Sequence, residues 1–416
     1  MGMTSRSTAN GWTELRLALT NSEWRALFAA SLLSAMGDQL ARVALALIIY
    51  ARTGSSVQSA LAFAISFLPY LLGSALTDIG DRRPRRQVML ACDLVRVGLA
   101  AVLAIPGLDI VPLLLLYFLL GLAEPPFEAA RAALAAEVLG PEAYAAGHGL
   151  QQAAFALVGG VGILAAGFLV TAAGASMALL VNAATFAVSA AIVALRIRSG
   201  REPAAPAARA SIAGGYLVIA ESPVLRVVIL LAAAGAIFTV PVDVLAAPIA
   251  HASGHGTSAA SILLAAPLVG TTVSSVLVSR VPMLERDRLM PLIAAANFAP
   301  LALFLFKPGF VFVCILALVA GFSTGYQVLA NQRFMLAVDP RDRSKAFGAA
   351  SATLMAGQGV ASVVAGVLAE YVEAEVVVGF CGLLALGVAT YAGFALPRIS
   401  DQLQTRDTVD AVGSGA

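Results

Sequence analysis

Charged residues are scarce in this 416-residue sequence: Asp, Glu, Lys and Arg make up only 12% of it, against about a quarter in a typical soluble domain. Hydrophobic residues make up 60%, and the mean hydropathy is +0.89. A soluble chain cannot bury so much apolar surface, so the composition predicts a protein whose solvent is lipid. The net charge of +2 gives no electrostatic support for a nucleic-acid partner.

Cysteine and histidine are also rare. Cys92, Cys314 and Cys381 are widely separated and each lies in an apolar run, which disfavours a disulfide or a zinc site. The three histidines have no neighbouring acid to complete a set of metal ligands. The sequence also lacks the phosphate-binding loop of ATP-driven proteins. It therefore predicts no metal, no cofactor and no enzymatic activity.

Long apolar runs, by contrast, recur along the whole chain. About twenty residues of helix cross the hydrocarbon core of a bilayer, and twelve runs approach that length. The predicted spans of the first half cover residues 27–50, 58–78, 88–105, 111–131, 149–173 and 176–195. Those of the second half cover residues 225–249, 259–279, 289–306, 310–332, 346–370 and 374–396. The predicted fold class is an all-α membrane protein with twelve transmembrane helices.

The basic residues predict the orientation of these spans. Of the 26 Lys and Arg residues, Arg52 and Lys307 fall in loops on one side of the membrane and Arg42 and Arg96 fall inside spans. The other 22 lie on the opposite side of the membrane. Because basic residues collect on the cytoplasmic side, both termini are predicted to be cytoplasmic. Only two of the basic residues are lysine and alanine is abundant, which suggests a bacterial protein and hence an inner-membrane location.

The spans divide six and six around a linker. Residues 197–222 are rich in Pro, Ala and Arg, a composition typical of a cytoplasmic linker. The other predicted domains are a cytoplasmic N-terminal segment (1–24), two six-helix bundles (25–196 and 223–397) and a cytoplasmic tail (398–416).

The two halves also resemble each other in sequence. Arg131 and Leu134, at the cytoplasmic end of the fourth span, recur as Arg333 and Leu336. The glycine pair of the fifth span recurs with the same spacing in the eleventh, as Gly160 and Gly167 against Gly359 and Gly366. Together these matches favour a parallel duplication and two pseudo-symmetric bundles.

The loop after the second span carries a charged motif. Its acids and bases are Asp78, Asp81, Arg82, Arg85 and Arg86. Such a basic turn sets topology, and its carboxylates can brace neighbouring helix ends through charge pairs. The order Asp-Arg-x-x-Arg-Arg resembles motif A of the major facilitator superfamily. That resemblance implies that the aspartate stabilises the outward-facing state of a transporter.

The resemblance to this superfamily extends over nearly the whole chain. Segments 34–38, 53–55 and 182–186 are similar to bacterial exporters of siderophores and macrolide-type drugs. Thr77 and Pro84 depart from motif A, since each replaces a glycine. The resemblance implies the major facilitator fold, with two six-helix bundles around a midplane cavity and alternating access by rocking of the halves.

The fifth span is rich in glycine, at Gly159, Gly160, Gly162 and Gly167. Glycines at these spacings let helices approach closely, and this packing role is also predicted for Gly359 and Gly366. The segment resembles the antiporter motif of the superfamily's drug exporters as well, with Ile163 in place of proline. Packing is the favoured interpretation.

Ionisable residues inside spans are costly and point to function. Asp38 lies near the middle of span one with Arg42 one turn on, which predicts either a self-neutralising pair or a proton-responsive carboxylate. Glu124, before two prolines in span four, is a candidate proton carrier or contact for a cationic substrate. Asp243 is the one acid well inside a second-half span.

Other charges near these residues suggest structural roles. Asp93 and Arg96, three residues apart in span three, are predicted to pair with each other. Glu128 and Arg131 are predicted to join the loop motif in a cytoplasmic gate. The arginine that the superfamily's drug/proton antiporters often carry four residues before a span-four glycine is Tyr117 here, so proton coupling cannot be inferred from that position.

Uncharged polar residues inside spans are candidates for the cavity lining or for hydrogen bonds between helices. They include Gln151, Asn182, Gln327 and Asn331. The predicted function is proton-coupled efflux of a small amphiphilic molecule (a drug, secondary metabolite or siderophore) by a monomer in the lipid bilayer. An importer or lipid flippase on the same fold is the alternative, and a non-transporting sensor is disfavoured because no segment is long enough for a soluble domain.

Overall fold

The computed structural model describes residues 13–14, 16–71, 83–198, 212–278, 286–339 and 342–413. Within these ranges the regular secondary structure is entirely helical. This confirms the predicted all-α class.

In the described part of the first half, residues 16–20 are helical and longer helices follow them. They are α1 (Ser22–Thr53), α2 (Ser56–Leu71), α3 (Arg85–Leu103), α4 (Ile110–Leu122), α5 (Glu124–Ala173) and α6 (Ala175–Arg196). Helices α4 and α5 meet at Ala123, so the first part of α5 continues the fourth predicted span. Gly140, with φ of 65°, interrupts α5 between the fourth and fifth predicted spans, because glycine adopts this left-handed conformation without a steric penalty.

The second half is more often interrupted. Its helices are α7 (Ile212–Glu221), α8 (Pro223–Phe238), α9 (Val240–Val244), α10 (Ala246–Ala252), α11 (Thr257–Val278), α12 (Arg286–Ala302), α13 (Phe310–Phe322), α14 (Tyr326–Ala337), α15 (Arg343–Leu368) and α16 (Ala374–Gly413). Single 3₁₀ turns follow α12 at Leu303–Phe306 and α13 at Ser323–Gly325. The breaks after α8, at Thr239 and Leu245, come shortly before Pro241 and Pro248, which cannot donate a helical hydrogen bond.

Most of these helices have the length and composition of membrane spans. Among the described residues, nine helical segments are long and apolar enough to cross a membrane, and Ser56–Tyr70 and Ser258–Thr271 are shorter apolar helices. The third predicted span coincides with α3, which contains the charged residues Arg85, Arg86, Asp93 and Arg96. The count of twelve spans and the cytoplasmic position of the termini remain predictions.

Contacts between Cα atoms divide the chain into two compact units. The first comprises Met1–Ala207 together with His255–Ala265, and the second comprises Ala208–Gly254 together with Ala266–Ala416. The beginning of α11 thus belongs to the first unit. The domain boundaries expected from the sequence remain a prediction.

The first unit is organised around α1. Ala41, Leu45 and Ile49 are fully buried, and their four-residue spacing puts them on one face of the helix. They pack with apolar residues of α2, α3, α4 and α6 in one cluster. Asn21 caps α1 by accepting hydrogen bonds from Glu23 N and Trp24 N, which satisfies two of the free N–H groups at the helix start.

One helix contact occurs in both units. A Cβ added at Gly121 of α4 would lie 2.9 Å from the ring of Pro69 of α2. In the second unit, a Cβ added at Gly321 of α13 would collide with the backbone of Pro267 of α11. The same pair of residue types thus joins the second and fourth predicted spans of each half, which agrees with a duplicated six-helix unit.

Candidate functional site

Ionisable side chains from five helices interact with one another inside the first unit. We call this group the charged cluster, and its members are Asp38, Arg42, Tyr70, Arg96, Tyr117 and Glu124. The negative charges of its two carboxylates balance the positive charges of its two guanidiniums. A bilayer interior disfavours unpaired charge, and this balance offsets part of that cost.

Asp38 forms its ion pair with Arg96 of α3. Arg96 Nη1 lies 3.8 Å from Asp38 Oδ2, and their side chains are 1% and 18% exposed. The same Nη1 donates a hydrogen bond to Ser34 Oγ at 3.0 Å. Arg96 thus forms its ion pair with Asp38, because the long arginine side chain reaches across to α1, while it also faces Asp93, its predicted partner on the same helix.

Arg96 is also held between two aromatic rings. Its Cζ lies 5.2 Å from the ring centroid of Phe127 on one helix and 5.2 Å from that of Phe186 on another. Ring faces attract a cation, most strongly where water is excluded. A fully buried guanidinium is thereby stabilised at the centre of this unit.

Arg42 turns towards α4. Its guanidinium interacts with the Tyr117 hydroxyl. Tyr117 lies four residues before Gly121 on α4, and α1 supplies a guanidinium next to it. Within the described part of the chain, Arg42 Nε has no hydrogen-bond partner.

Glu124 lies at the first turn of α5 and interacts with α2. The Tyr70 hydroxyl interacts with its carboxylate, and Tyr70 is 37% exposed. Pro125 and Pro126 follow Glu124 in the first turn, where the missing N–H groups leave no helical bond unmade. The sequence placed Asp38, Arg42 and Glu124 as separate candidates, and the fold brings them together.

Part of the predicted cytoplasmic gate lies outside the described residues, namely Asp78, Asp81 and Arg82. Arg85, at the start of α3, forms an ion pair with Glu137 of α5. Arg86 Nη2 donates to the carbonyl of Ala194 near the end of α6 at 2.7 Å. The start of α3 is thus tied to two other helices of the unit.

Glu128 and Arg131 form the second part of that predicted gate. They are paired within α5, with two N–O distances of 3.0 Å from Arg131 Nε. Arg131 Cζ also lies 5.3 Å from the ring centroid of Phe155. Sequence reasoning missed Glu137 as a partner of Arg85, since 52 residues separate the two and no local spacing indicates their contact.

The uncharged polar candidates fall into two groups. Gln151 and Asn182 are buried, at 3% and 0% exposure. Asn182 lies at the crossing of α6 with α1, where a Cβ added at Gly37 would collide with its Oδ1, so it contributes to helix packing. Gln327 and Asn331 are exposed and one turn apart on α14. Asp243 is half-buried on α9.

The glycines of the fifth span differ in their surroundings. A Cβ at Gly162 would lie 3.0 Å from Gln39 Cβ of α1, and one at Gly167 would collide with Ser261 of α11. At Gly159, by contrast, no described heavy atom lies within 4 Å of such a Cβ. Close packing is therefore found at Gly162 and Gly167 and not at Gly159, because the contacting face of α5 is set by the helix rotation. Gly160 lies on the same helix, and Gly359 and Gly366 lie on α15.

Within the described ranges, no group of three or more His, Cys, Asp or Glu side chains is arranged to hold a metal ion.

Solved structures with the same architecture are transporters. A bacterial homolog of the human lysosomal transporter Spinster, inward-facing and unoccupied, has a TM-score of 0.68 at 14% identity, with coverage of 91% of this chain and 98% of that one. The nucleoside transporter NupG, in a variant form, has a TM-score of 0.65 at 15% identity, with 91% and 100% covered. A POT family transporter in complex with 5-aminolevulinic acid has a TM-score of 0.73 at 11% identity, with 90% and 96% covered.

Sequence comparison gives the family directly. No curated protein matches the chain, but the sequence model of the Major Facilitator Superfamily matches residues 27–336. That stretch contains the charged cluster and both Pro–Gly contacts. The chain belongs to the Major Facilitator Superfamily and is a membrane transporter of that fold.

Proposed function

We propose that this transporter exports a small amphiphilic molecule by alternating access and is driven by proton entry. The observation that carries the proposal is the charged cluster. Ionisable side chains inside membrane proteins are rare and mark ion pathways, proton relays and substrate sites. Here they meet at one place, supplied by five helices, and Tyr70, which interacts with Glu124, is partly exposed.

In this proposal Asp38 is the proton carrier. Its carboxylate faces the guanidiniums of Arg96 and Arg42 and the carboxylates of Glu124 and Glu128. Uptake of one proton by Asp38 changes the net charge of the charged cluster from zero to positive. A cluster with excess positive charge repels a cationic substrate, and one that has lost the proton attracts it. Exchange of proton for substrate follows from this competition.

Glu124 is the proposed contact for a cationic group of the substrate. It is placed at the side of the cluster where Tyr70 is exposed, and its carboxylate has the sign that attracts a cation. Gln327, Asn331 and Asp243, which belong to the second unit, are proposed as further contacts for the substrate. Their half-buried or exposed side chains can hydrogen-bond a substrate.

The proposed setting is a bacterial inner membrane crossed by twelve helices, with both termini in the cytoplasm. The strongest support is the distribution of basic residues, which the positive-inside rule interprets. The ion pair of Arg85 with Glu137 and the pair of Arg131 with Glu128 would then brace the cytoplasmic gate.

The test is the accumulation of fluorescent cationic amphiphiles in a bacterial host that lacks its own efflux pumps. Cells express the wild-type chain, Asp38→Asn or the control Asp109→Asn, with and without a protonophore. Asp109 is exposed, precedes α4 and makes no capping hydrogen bond through its side chain. We expect wild type and the control to lower accumulation, the protonophore to abolish this effect, and Asp38→Asn to resemble empty cells.

Two results would contradict the proposal. Asp38→Asn with full, protonophore-sensitive export would remove Asp38 from the coupling step. Increased accumulation on expression of the wild type would indicate uptake on the same fold and reverse the proposed direction.

A further inference from the structure

Two buried polar side chains of α3 have unused hydrogen-bonding atoms. Arg96 Nε and Nη2 have no hydrogen-bond partner among the described residues, although the side chain is 1% exposed. Asp93, three residues earlier, is 0% exposed; its Oδ2 accepts from Ser189 Oγ at 2.7 Å, while Oδ1 is without a partner in the described part of the chain. A buried polar atom without a partner is destabilising and rare in native proteins.

We propose that Arg96 is a movable counter-ion that Asp38 and Asp93 share. When Asp38 is charged, the guanidinium pairs with it across the unit, as in this structure. When Asp38 carries a proton, the guanidinium turns to the free Oδ1 of Asp93 on its own helix. The inference deepens the proposed function and rests on it, since it assigns the event that follows protonation of Asp38.

The geometry favours this exchange. Residues three apart on a helix share a face, so Arg96 reaches Asp93 by side-chain rotation alone. The rings of Phe127 and Phe186, each 5.2 Å from Arg96 Cζ, flank the guanidinium during that rotation. Ring faces stabilise a cation without fixing its orientation as a bidentate carboxylate does.

Asp38 and Asp93 have different charged groups around them, so protonation has a different effect at each carboxylate. Asp38 faces Arg96, Arg42, Glu124 and Glu128, whereas Asp93 faces Arg96, Ser189 and the Cys92 thiol. Asp38 therefore has several charged neighbours that respond to its proton. Asp93 has one cation, and it can accept Arg96 only when Asp38 releases it.

The consequence concerns helix motion. The pair of Arg96 with Asp38 and the hydrogen bond to Ser34 Oγ link α3 to α1. Transfer of the guanidinium to Asp93 removes the ionic part of that link. Proton uptake would then loosen α1 from α3, which gives a route from a proton to a rearrangement of the bundle.

A double-mutant cycle on thermal stability tests the exchange. Asp38→Asn, Asp93→Asn and the double variant are purified in detergent, and their melting temperatures are compared with wild type. Each single variant leaves Arg96 one of the two carboxylates proposed to share it, so we expect modest losses. The double variant removes both, so that among the carboxylates of the charged cluster only Glu124 still faces the buried guanidinium. The loss of the double variant should therefore exceed the sum of the single losses by roughly 3 °C or more.

A third substitution separates this cause from general damage to the core. Adding Arg96→Gln to the double variant removes the buried cation, and we expect it to restore most of the lost melting temperature or, if the double variant yields no protein, to restore the yield. Additive losses, a loss in Asp93→Asn alone as large as in the double variant, or failure of Arg96→Gln to rescue would each overturn the proposal. Because the cycle is measured on stability, its result is independent of whether an exported compound is found.

Discussion

At the scale of single residues, the length of a side chain decides which charges meet. Arg96 lies on α3, yet its guanidinium is 3.8 Å from Asp38 on α1, because an arginine extends far enough to cross between helices. Arg42, one turn from Asp38, instead interacts with the Tyr117 hydroxyl. Neighbours along the helix are therefore not the only ion-pair partners in this unit.

Replacement of Glu124 tests its proposed contact with the substrate. We expect Glu124→Gln to lower energy-dependent export of cationic probes by about tenfold or more, because the amide removes the negative charge of the carboxylate that interacts with the Tyr70 hydroxyl. Tyr70→Phe removes only the hydroxyl that interacts with that carboxylate and should lower the export rate by roughly tenfold at most. Initial efflux rates from preloaded cells measure both effects.

The control for these variants is Tyr391→Phe. Tyr391 lies on α16 and is 55% exposed, so loss of its hydroxyl should leave the efflux rate unchanged. A wild-type rate in Glu124→Gln would place the substrate contact elsewhere.

At the scale of helices, glycine and proline determine how closely two spans approach. A Cβ added at Gly121 would come close to the ring of Pro69, whereas one added at Gly321 would collide with the backbone of Pro267. A side-chain ring can shift slightly, but backbone is held by the hydrogen bonds of its helix. The two equivalent contacts should therefore tolerate an added methyl group to different extents.

This difference predicts an order of stability among glycine variants. We expect Gly321→Ala to destabilise the protein by about 1–3 kcal/mol through overpacking, and Gly121→Ala to cost less. Gly98→Ala, on α3 with no described heavy atom within 4 Å of the added Cβ, should be neutral or stabilising by up to about 1 kcal/mol. Melting temperatures in detergent give the order, and equal losses at Gly121 and Gly321 would contradict this explanation.

At the scale of the whole molecule, the apolar composition of the chain is visible on the surface of its helices. Val111 is 76% exposed and Phe394 is 65% exposed, although both lie on helices long and apolar enough to cross a membrane. Water disfavours such surface, while lipid does not. The exposed apolar residues and the family assignment thus agree on the environment of this transporter.

Reporter fusions test the predicted topology. We expect alkaline phosphatase to be active when fused after Gly54 or Lys307, since these loops carry the two basic residues predicted to face outwards. Green fluorescent protein should fluoresce when fused within residues 197–222 or at the C-terminus. A missed or additional span would reverse the result for every fusion beyond it, so the position of the first reversal would locate the error.

The sequence by itself determined the solvent, the helical class and the superfamily resemblance. These follow from composition, the length of apolar runs and local motifs, which need no tertiary contacts. It also singled out Asp38, Arg42 and Glu124, because an ionisable residue in an apolar run is visible one position at a time.

Only the tertiary structure decided which of these residues interact. The pairing of Asp38 with Arg96 and of Arg85 with Glu137 joins different helices, and sequence spacing carries no information on such distances. The role of each glycine was decided in the same way: Gly162 and Gly167 face other helices, while no described heavy atom comes within 4 Å of a Cβ built on Gly159. Helix rotation, set by the packing of the whole unit, determines which face of a span makes contact.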